Sequence, residues 1–512
     1  MRALVRCLAF MIVMSLLAWG KGGYFQDPQI YNSGGWDTMS MAVADLNGDG
    51  KLDVVVGSDC PLIACNGDSN GVVGVLLGNG DGTFQTVQAY SAGGPAVSSV
   101  VIADVNGDKV PDIVVSTYGF APGDGETGGV GVLIGNGDGS FQPAKNYRSA
   151  GRETTSVVAV DVNHDGKIDV VVTNSCEVGE DCQQPPNGAA TGNVSVLLGN
   201  GDGTLQPATN YESGGNIAEA LAIADVDRDG NPDIIVANRC TDACSIGGLG
   251  LLAGKGDGTF KPVTVFGAGE MFFSVNVEDL NGDGLLDAVT GGIWFTQVML
   301  GRGDGTFGDP VSYETPSQFA NSMAFGDVNG DSIADFVIGG AFHRAGNGPS
   351  GVVTIFNGQG DGTFAKRRDF TSAGEVAVTV LLRDVNGDQR LDLLVANLCA
   401  PKVHCRYGDV AVFLNDSFYP TKTGVTSHPN PAKLGEPVTF TATVTQSGPN
   451  APAGRVKFWD GTKSLGAAAL KNGVAQLTKS NLASGSHAIK AQYLGDATNG
   501  KSQSDILTQV VQ

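Results

Sequence analysis

Asp45, Asn47, Asp49 and Asp53 put oxygen-bearing side chains at positions 1, 3, 5 and 9 of a nine-residue loop. The spacing returns at Asp104, Asn106, Asp108 and Asp112, at Asp161, Asn163, Asp165 and Asp169, and at Asp225, Asp227, Asp229 and Asp233. It returns again at Asp279, Asn281, Asp283 and Asp287, at Asp327, Asn329, Asp331 and Asp335, and at Asp384, Asn386, Asp388 and Asp392. One such cluster would pass for an ordinary Asp/Asn/Gly turn. Seven in phase predict sites for a hard cation. Calcium, which takes six to eight oxygens at flexible geometry, suits them better than magnesium. An EF-hand would place Glu at position 12 between two helices. Here Asp closes the loop at position 9 and the flanks read as strands, so the loops are expected to be calcium hairpins. Nothing beside them suggests an open site with a base or nucleophile, so the calcium is expected to be structural. Position 6 is Gly50, Gly166, Gly230 and Gly284 in four loops, but Lys109, Ser332 and Gln389 in the others. A side chain there should strain the turn. Lys109 also adds a positive charge, so the second loop should bind most weakly. His164 and Arg228 stand at position 4, which is not a ligand position.

The loops need elements that hold them in phase. Each is preceded by an apolar run and followed by a Val/Ile-rich run, a variable loop and a third apolar run, and in six repeats then by a Gly-x-Gly-Asp-Gly turn and a fourth run. In the second repeat these are Ser99 to Ala103, Ile113 to Ser116, Gly129 to Ile134 and Phe141 to Tyr147. Short β-rich runs bounded by Gly/Asp turns read as strands of a four-stranded antiparallel blade. The loops recur every 48 to 64 residues, which predicts a seven-bladed β-propeller. The seventh repeat lacks its fourth strand. Phe25-Gln26 to Tyr31 aligns with Phe84-Gln85 to Tyr90, so residues 25–31 are expected to supply it and close the ring. The Gly-Asp-Gly turns join strands rather than opening a helix, so they are hairpins and not phosphate loops.

The chain has 512 residues and a formal net charge of −22. Residues 1–20 read as a signal peptide: Arg2 and Arg6, an apolar core from Cys7 to Trp19, then small residues. No later run is long and apolar enough to span a bilayer. The loops hold 22 Asp, so the acidity is mainly a metal-site signature, and it argues against nucleic acid or anionic membranes as partners. The other eight cysteines form close pairs, Cys60/Cys65, Cys176/Cys182, Cys240/Cys244 and Cys399/Cys405. The first of each lies seven residues after the closing Asp of its loop. Equivalent placement in four repeats predicts four local disulfides in an exported protein. Zinc is the rival, weakened by variable gaps and by His404 as the single nearby His.

Residues 417–424 read as a linker, and the repeat then disappears. Val438 to Val444, Val456 to Phe458 and Ile489 to Tyr493 alternate as strands. Asp460-Gly461 and Asn472-Gly473 mark hairpins. Residues 425–512 are therefore expected to form a β-sandwich. On these motifs the first 416 residues resemble the bacterial FG-GAP/VCBS repeat propellers, relatives of the integrin α-subunit head. Thr423 to Thr445, Phe458-Trp459-Asp460-Gly461, Leu482 to His487 and Tyr493 to Asp496 make the tail similar to bacterial Ig-like domains.

Antiparallel order sets the acidic loops and Gly-Asp-Gly turns on one face. The other face carries the variable connections, with Phe272, Phe319 and Arg344 among their residues, and recognition usually sits on variable loops held by a rigid scaffold. Its candidate ligand-binding residues are Trp36, Tyr118, Phe120, Trp294, Phe295, Phe342, His343 and Tyr407, and the rival role of each is to cap the core. Arg302-Gly303-Asp304 spells an adhesion tripeptide, but within one of the hairpin turns. The expected function is a calcium-stabilised recognition or adhesion propeller, secreted, periplasmic or at the cell surface, whose ligand is a glycan or a surface protein. The alternatives are a polysaccharide lyase or hydrolase using the same face, and a structural module of a surface assembly. No nucleophile elbow or zinc-enzyme motif favours catalysis, so no catalytic residue is assigned.

Overall fold

The computed structural model describes residues 24–61, 70–120, 127–177, 191–240, 247–269, 271–317, 319–344, 348–399, 407–416, 419, 421–446, 451–496 and 499–512. These are all-β, with no helix among them. Two compact units result, Met1–Gly326 with Asp335–Leu414, and Asp327–Ala334 with Asn415–Gln512.

Seven four-stranded antiparallel sheets form the first part of the chain. Their first strands span Gly35–Ala44, Val97–Ala103, Gly151–Val160, Asn216–Ala224, Ser274–Glu278, Phe319–Gly326 and Ala377–Arg383, and define blades 1 to 7. Each first strand touches its counterpart in the next blade, and the last touches the first. The first strands are therefore innermost, and the sheets close into a seven-bladed β-propeller. The closing strand is N-terminal: Gln29–Asn32 pairs with Asp409–Phe413 in blade 7. Gln26 N donates to Leu414 O at 2.8 Å, as Gln85 N does to Leu77 O in blade 1.

Burial explains why the second and third strands do not alternate in polarity. Val72–Leu76 is buried along its whole length, because each blade is sandwiched between two others. Val55 and Val73 of blade 1 thus share a core with Val100, Ile113 and Leu133 of blade 2. The outermost strands, such as Gln88–Ser91, are short and mostly exposed, which limits the free sheet edge. Their aromatic ring packs on the next blade. Tyr31 meets Phe84 at 5.4 Å, Tyr90 meets Phe141 at 5.6 Å, Tyr211 meets Phe260 at 5.4 Å and Tyr313 meets Phe364 at 5.8 Å. Phe266–Phe307 and Phe370–Phe25 repeat the contact at 6.0 and 6.1 Å. Between blades 2 and 3 the partner of Tyr147 is Leu205, and a cavity of about 340 Å³ lies there.

The C-terminal strands form a β-sandwich of a three-stranded and a five-stranded sheet around Phe440, Phe458, Ile489 and Tyr493. Its first strand is Thr421–His428, paired with Val438–Gln446. Residues 421–424, expected as linker, are thus strand, because their backbone already pairs with 443–446. The Asn472-Gly473 hairpin has φ of 49° and 74°, the left-handed pair that a two-residue turn of this kind needs.

Candidate functional sites on two faces of the ring

The nine-residue loops join strands 1 and 2 of each blade, and backbone N–H groups organise their oxygens. In the first loop Asp45 Oδ1 accepts from Gly48 N at 2.8 Å and Asp45 Oδ2 from Gly50 N at 2.8 Å. Asn47 Oδ1 accepts from Asp49 N at 2.9 Å, and Asp49 Oδ1 from Lys51 N at 3.0 Å. This winding needs left-handed residues at positions 4 and 6. Gly48 and Gly50 have φ of 72° and 79°. The strain expected at position 6 falls on Lys109, Ser332 and Gln389, with φ of 68°, 67° and 69°. Position 4, not foreseen as strained, is left-handed too: His164 and Arg228 have φ of 58° and 62°.

The closing Asp has a second task. Asp53 is fully buried; its Oδ2 accepts from Leu46 N at 2.9 Å and its Oδ1 from Gly78 N at 2.7 Å. Asp112, Asp169, Asp233 and Asp287 make the same two bonds, the second always to the first Gly of the Gly-x-Gly-Asp-Gly turn. Burial is the largest influence on these carboxyls and raises their pKa, against the backbone N–H bonds. A Cβ on Gly78 would lie 2.2 Å from Leu52 O, which explains that glycine. The last Gly of the turn leans on the preceding blade: Gly82 N donates to Val385 O, and Gly203 N to Val105 O, both at 3.2 Å. Loop and turn thus interlock within a blade and between blades.

The donor set of each loop is oxygen only, and carboxylate oxygens of Asp225, Asp227 and Asp229 lie within 4.8 Å of one another. This chemistry fits a hard divalent cation. Some position-5 carboxylates also meet a cation of the chain itself: Asp49 with Lys51 at 3.1 Å, Asp165 with Lys167 at 3.3 Å and Asp388 with Arg390 at 2.5 Å. In the Arg302-Gly303-Asp304 turn, Asp304 Oδ1 accepts from Thr306 N at 3.0 Å and Arg302 Nη1 donates to Phe307 O at 2.5 Å. The tripeptide's side chains are tied into their own hairpin.

The opposite face is irregular. Of the aromatics singled out there, Tyr118, Trp294 and Tyr407 are exposed, while Trp36, Phe120, Phe295 and Phe342 are half-buried. Phe120 lies under Arg148, at 4.3 Å. The side chain of His343 lies outside the described residues. Around the ring axis a chain of side-chain contacts crosses five blades. The Tyr118 phenol faces Glu153; burial first and the hydrogen bond to that carboxylate second raise its pKa, while Arg152 opposes them. Glu153 lies close enough to Glu219 to raise the Glu219 pKa, though burial is the larger cause and Arg239 works against both. Glu219 is ion-paired with Arg239. The Arg239 guanidinium stands 5.3 Å from the Phe273 ring, and Phe273 meets Phe319 edge-on at 5.3 Å. Glu153 and Ile217 hold φ of 52° and 57°. Such values are uncommon for non-glycine residues and rare for a β-branched one.

Only Tyr118 of this cluster is among the eight candidate ligand residues. A signal for two others exists in the repeat itself. Six residues before each loop stand Met39, Ser98, Thr155, Glu219, Phe273, Asn321 and Val378, and Glu219 and Phe273 are the acidic and aromatic departures. Cys60, Cys176 and Cys399 are disulfide-bonded. The side chain of Cys240, and Cys65, Cys182, Cys244 and Cys405, lie outside the described residues.

Comparison with known proteins agrees with this architecture. The FG-GAP-like repeat matches residues 14–56, 62–115, 120–172 and 188–236, and the FG-GAP repeat matches 38–76. The bacterial Ig-like domain (group 3) matches 425–512. The chain is an FG-GAP repeat β-propeller followed by a bacterial Ig-like domain. Among solved structures, a lectin of Agrocybe aegerita described as recognising non-reducing terminal N-acetylglucosamine is 20% identical. That match covers 69% of this chain and 91% of the lectin, with a TM-score of 0.41. A luciferin-regenerating enzyme is 10% identical over 61% of this chain and 87% of its own, with a TM-score of 0.35. The extracellular domain of a one-component system of B. thetaiotaomicron is 10% identical over 94% of this chain and 58% of its own, with a TM-score of 0.40. These likenesses are too distant to carry an argument about ligands. Curated proteins give no match. No helix among the described residues is long and apolar enough to cross a membrane.

Proposed function

We propose that this protein is an exported, calcium-stabilised propeller that presents a recognition surface on the face opposite its acidic loops. The observation that carries this is the division of labour between faces. One face repeats a single oxygen-rich turn that locks strand 1, strand 2 and the 3–4 turn together. The other holds exposed aromatics and charged side chains that do not repeat. In each loop the oxygens at positions 1, 3, 5 and 9 would hold the ion. The ion would neutralise carboxylates clustered on one hairpin, and the chain's own part is to keep them converged. Residues 1–20 would be the export signal, and the four cysteine pairs would staple connections on the recognition face. The ligand would be a glycan or a surface protein, with the Ig-like domain as spacer or attachment module.

The test is a glycan and polysaccharide array together with a bacterial and host cell-binding assay, run with calcium and again in EDTA. Calcium-dependent binding without turnover supports the proposal. Release of oligosaccharide products favours the hydrolase or lyase alternative, and absence of binding to every glycan and cell favours a structural module.

A further inference from the structure

We propose that Tyr118, Glu153, Glu219, Arg239, Phe273 and Phe319, around the ring axis on the face away from the acidic loops, form a binding site for an uncharged saccharide. The inference rests on the recognition function proposed above and deepens it by naming the place and the ligand class.

The first support is continuity. The six side chains come from five successive blades yet form one linked series: Tyr118 to Glu153, Glu153 beside Glu219, Glu219 to Arg239, Arg239 over Phe273 and Phe273 against Phe319. Nothing in the repeat requires this, since the corresponding positions of other blades hold Met39, Ser98 and Val378. The second support is exposure. An ionic plug that only sealed the ring would bury its rings, but Tyr118 and Phe319 remain 47% and 38% exposed. Two exposed rings flanking a row of fixed donors and acceptors offer apolar faces for sugar C–H groups and polar partners for hydroxyls.

The charges select the class. Arg239 offers donors only, the carboxylates chiefly acceptors and the Tyr118 phenol both. A sugar hydroxyl, which donates and accepts, can meet all three. Arg152, beside Tyr118, and Arg239 balance the two carboxylates, so the site presents no net positive charge to draw in an anion, and the chain's net charge of −22 disfavours one further. An uncharged ring therefore fits better than a uronate or a sulfated sugar.

The test uses the full chain with calcium and isothermal titration of neutral gluco-, galacto- and manno-oligosaccharides, with oligogalacturonate as the charged comparison. A neutral series is expected to bind, and Tyr118→Ala and Phe319→Ala each to weaken it at least tenfold while both variants remain folded by circular dichroism at the titration temperature. Tyr118→Phe, which keeps the ring and loses the hydroxyl, should weaken binding less than Tyr118→Ala. Neutral-sugar binding that both alanine variants leave intact overturns the location, while the recognition function stands. Preference for oligogalacturonate, or no oligosaccharide binding by the folded chain, overturns the ligand class. If the cell-binding assay still succeeds there, this inference has failed and the recognition function has not.

Discussion

On the loop face the Asp53 carboxylate is gripped by backbone, Leu46 N on one oxygen and Gly78 N on the other, and the arrangement recurs from blade to blade. Around the axis of the opposite face the Glu219 carboxylate is held by a side chain, Arg239, and stands near a second carboxylate, Glu153. Backbone donors come with the fold and can be copied with it. Side-chain partners, whether from the adjacent strand of the same blade like Arg239 or from a neighbouring blade like Glu153, must be chosen one by one. The first arrangement is therefore a device for rigidity. The second can vary without disturbing the ring, which is where specificity can change at little structural cost.

The sharpest way to break this comparison is to remove a backbone-held carboxylate. Asp169→Ala strands the buried N–H groups of Val162 and Gly199. At roughly 1–3 kcal/mol for each of the two unsatisfied donors, a loss of about 2–6 kcal/mol is expected. The urea midpoint measured in EDTA reports it without any contribution from metal. A midpoint like that of the parent chain would deny the closing Asp its structural role.

Asp409 tests the side-chain-held kind. It is 2% exposed, accepts from Asn397 Nδ2 at 2.7 Å, and burial lifts its pKa to about 7. The folded carboxyl stays protonated up to about pH 7, while the unfolded one ionises near 3.9. Its contribution to stability is complete below about pH 4 and is lost as pH rises through 7. Asp409→Asn should therefore be more stable than the parent at pH 8, by up to about 4 kcal/mol at about 1.4 kcal/mol per unit. At pH 3.5 the two should melt alike, and equal melting at both values would contradict the assignment.

Restoring the repeat where it lapses should have smaller effects. Leu205→Phe would rebuild the aromatic contact with Tyr147 and fill the cavity beside it. A gain of about 0.5–1.5 kcal/mol is expected in chemical denaturation. Lys109→Gly relieves the left-handed side chain at φ 68°. The gain in stability should be about 1 kcal/mol or less, because glycine also loosens the unfolded chain. The clearer sign is tighter calcium binding at the second loop, read by titration; unchanged affinity would show that this strain is not transmitted to the ligands.

The repeated half of the molecule was legible because each of its rules acts seven times. The loop spacing, the apolar runs and the Gly-Asp-Gly turns together imply the blade. The alignment of Phe25-Gln26 with Phe84-Gln85 implies the strand that now pairs with Asp409–Phe413. The positive φ at position 4 was hidden because five of the seven residues there are glycine, and a glycine does not announce why it is needed. The axial cluster was hidden for a different reason. Arg239 and Glu219 are about twenty residues apart, and Phe273 meets Phe319 from the next blade. The first is a pair across adjacent strands of blade 4 beside a register irregularity, and the second follows from the packing of one blade on the next. Residue type does not give depth, and of the aromatics on that face Trp36, Phe120, Phe295 and Phe342 are half-buried.

The central claim is that the acidic loops are a calcium-held scaffold. Thermal melting of the full chain in millimolar calcium and in excess EDTA tests it most directly. A site filled a hundredfold above its dissociation constant adds about 2.7 kcal/mol, so occupied loops together should make the EDTA melt several degrees lower, with recovery when calcium is restored. Coincident melts, with no calcium retained by the dialysed protein, would contradict it.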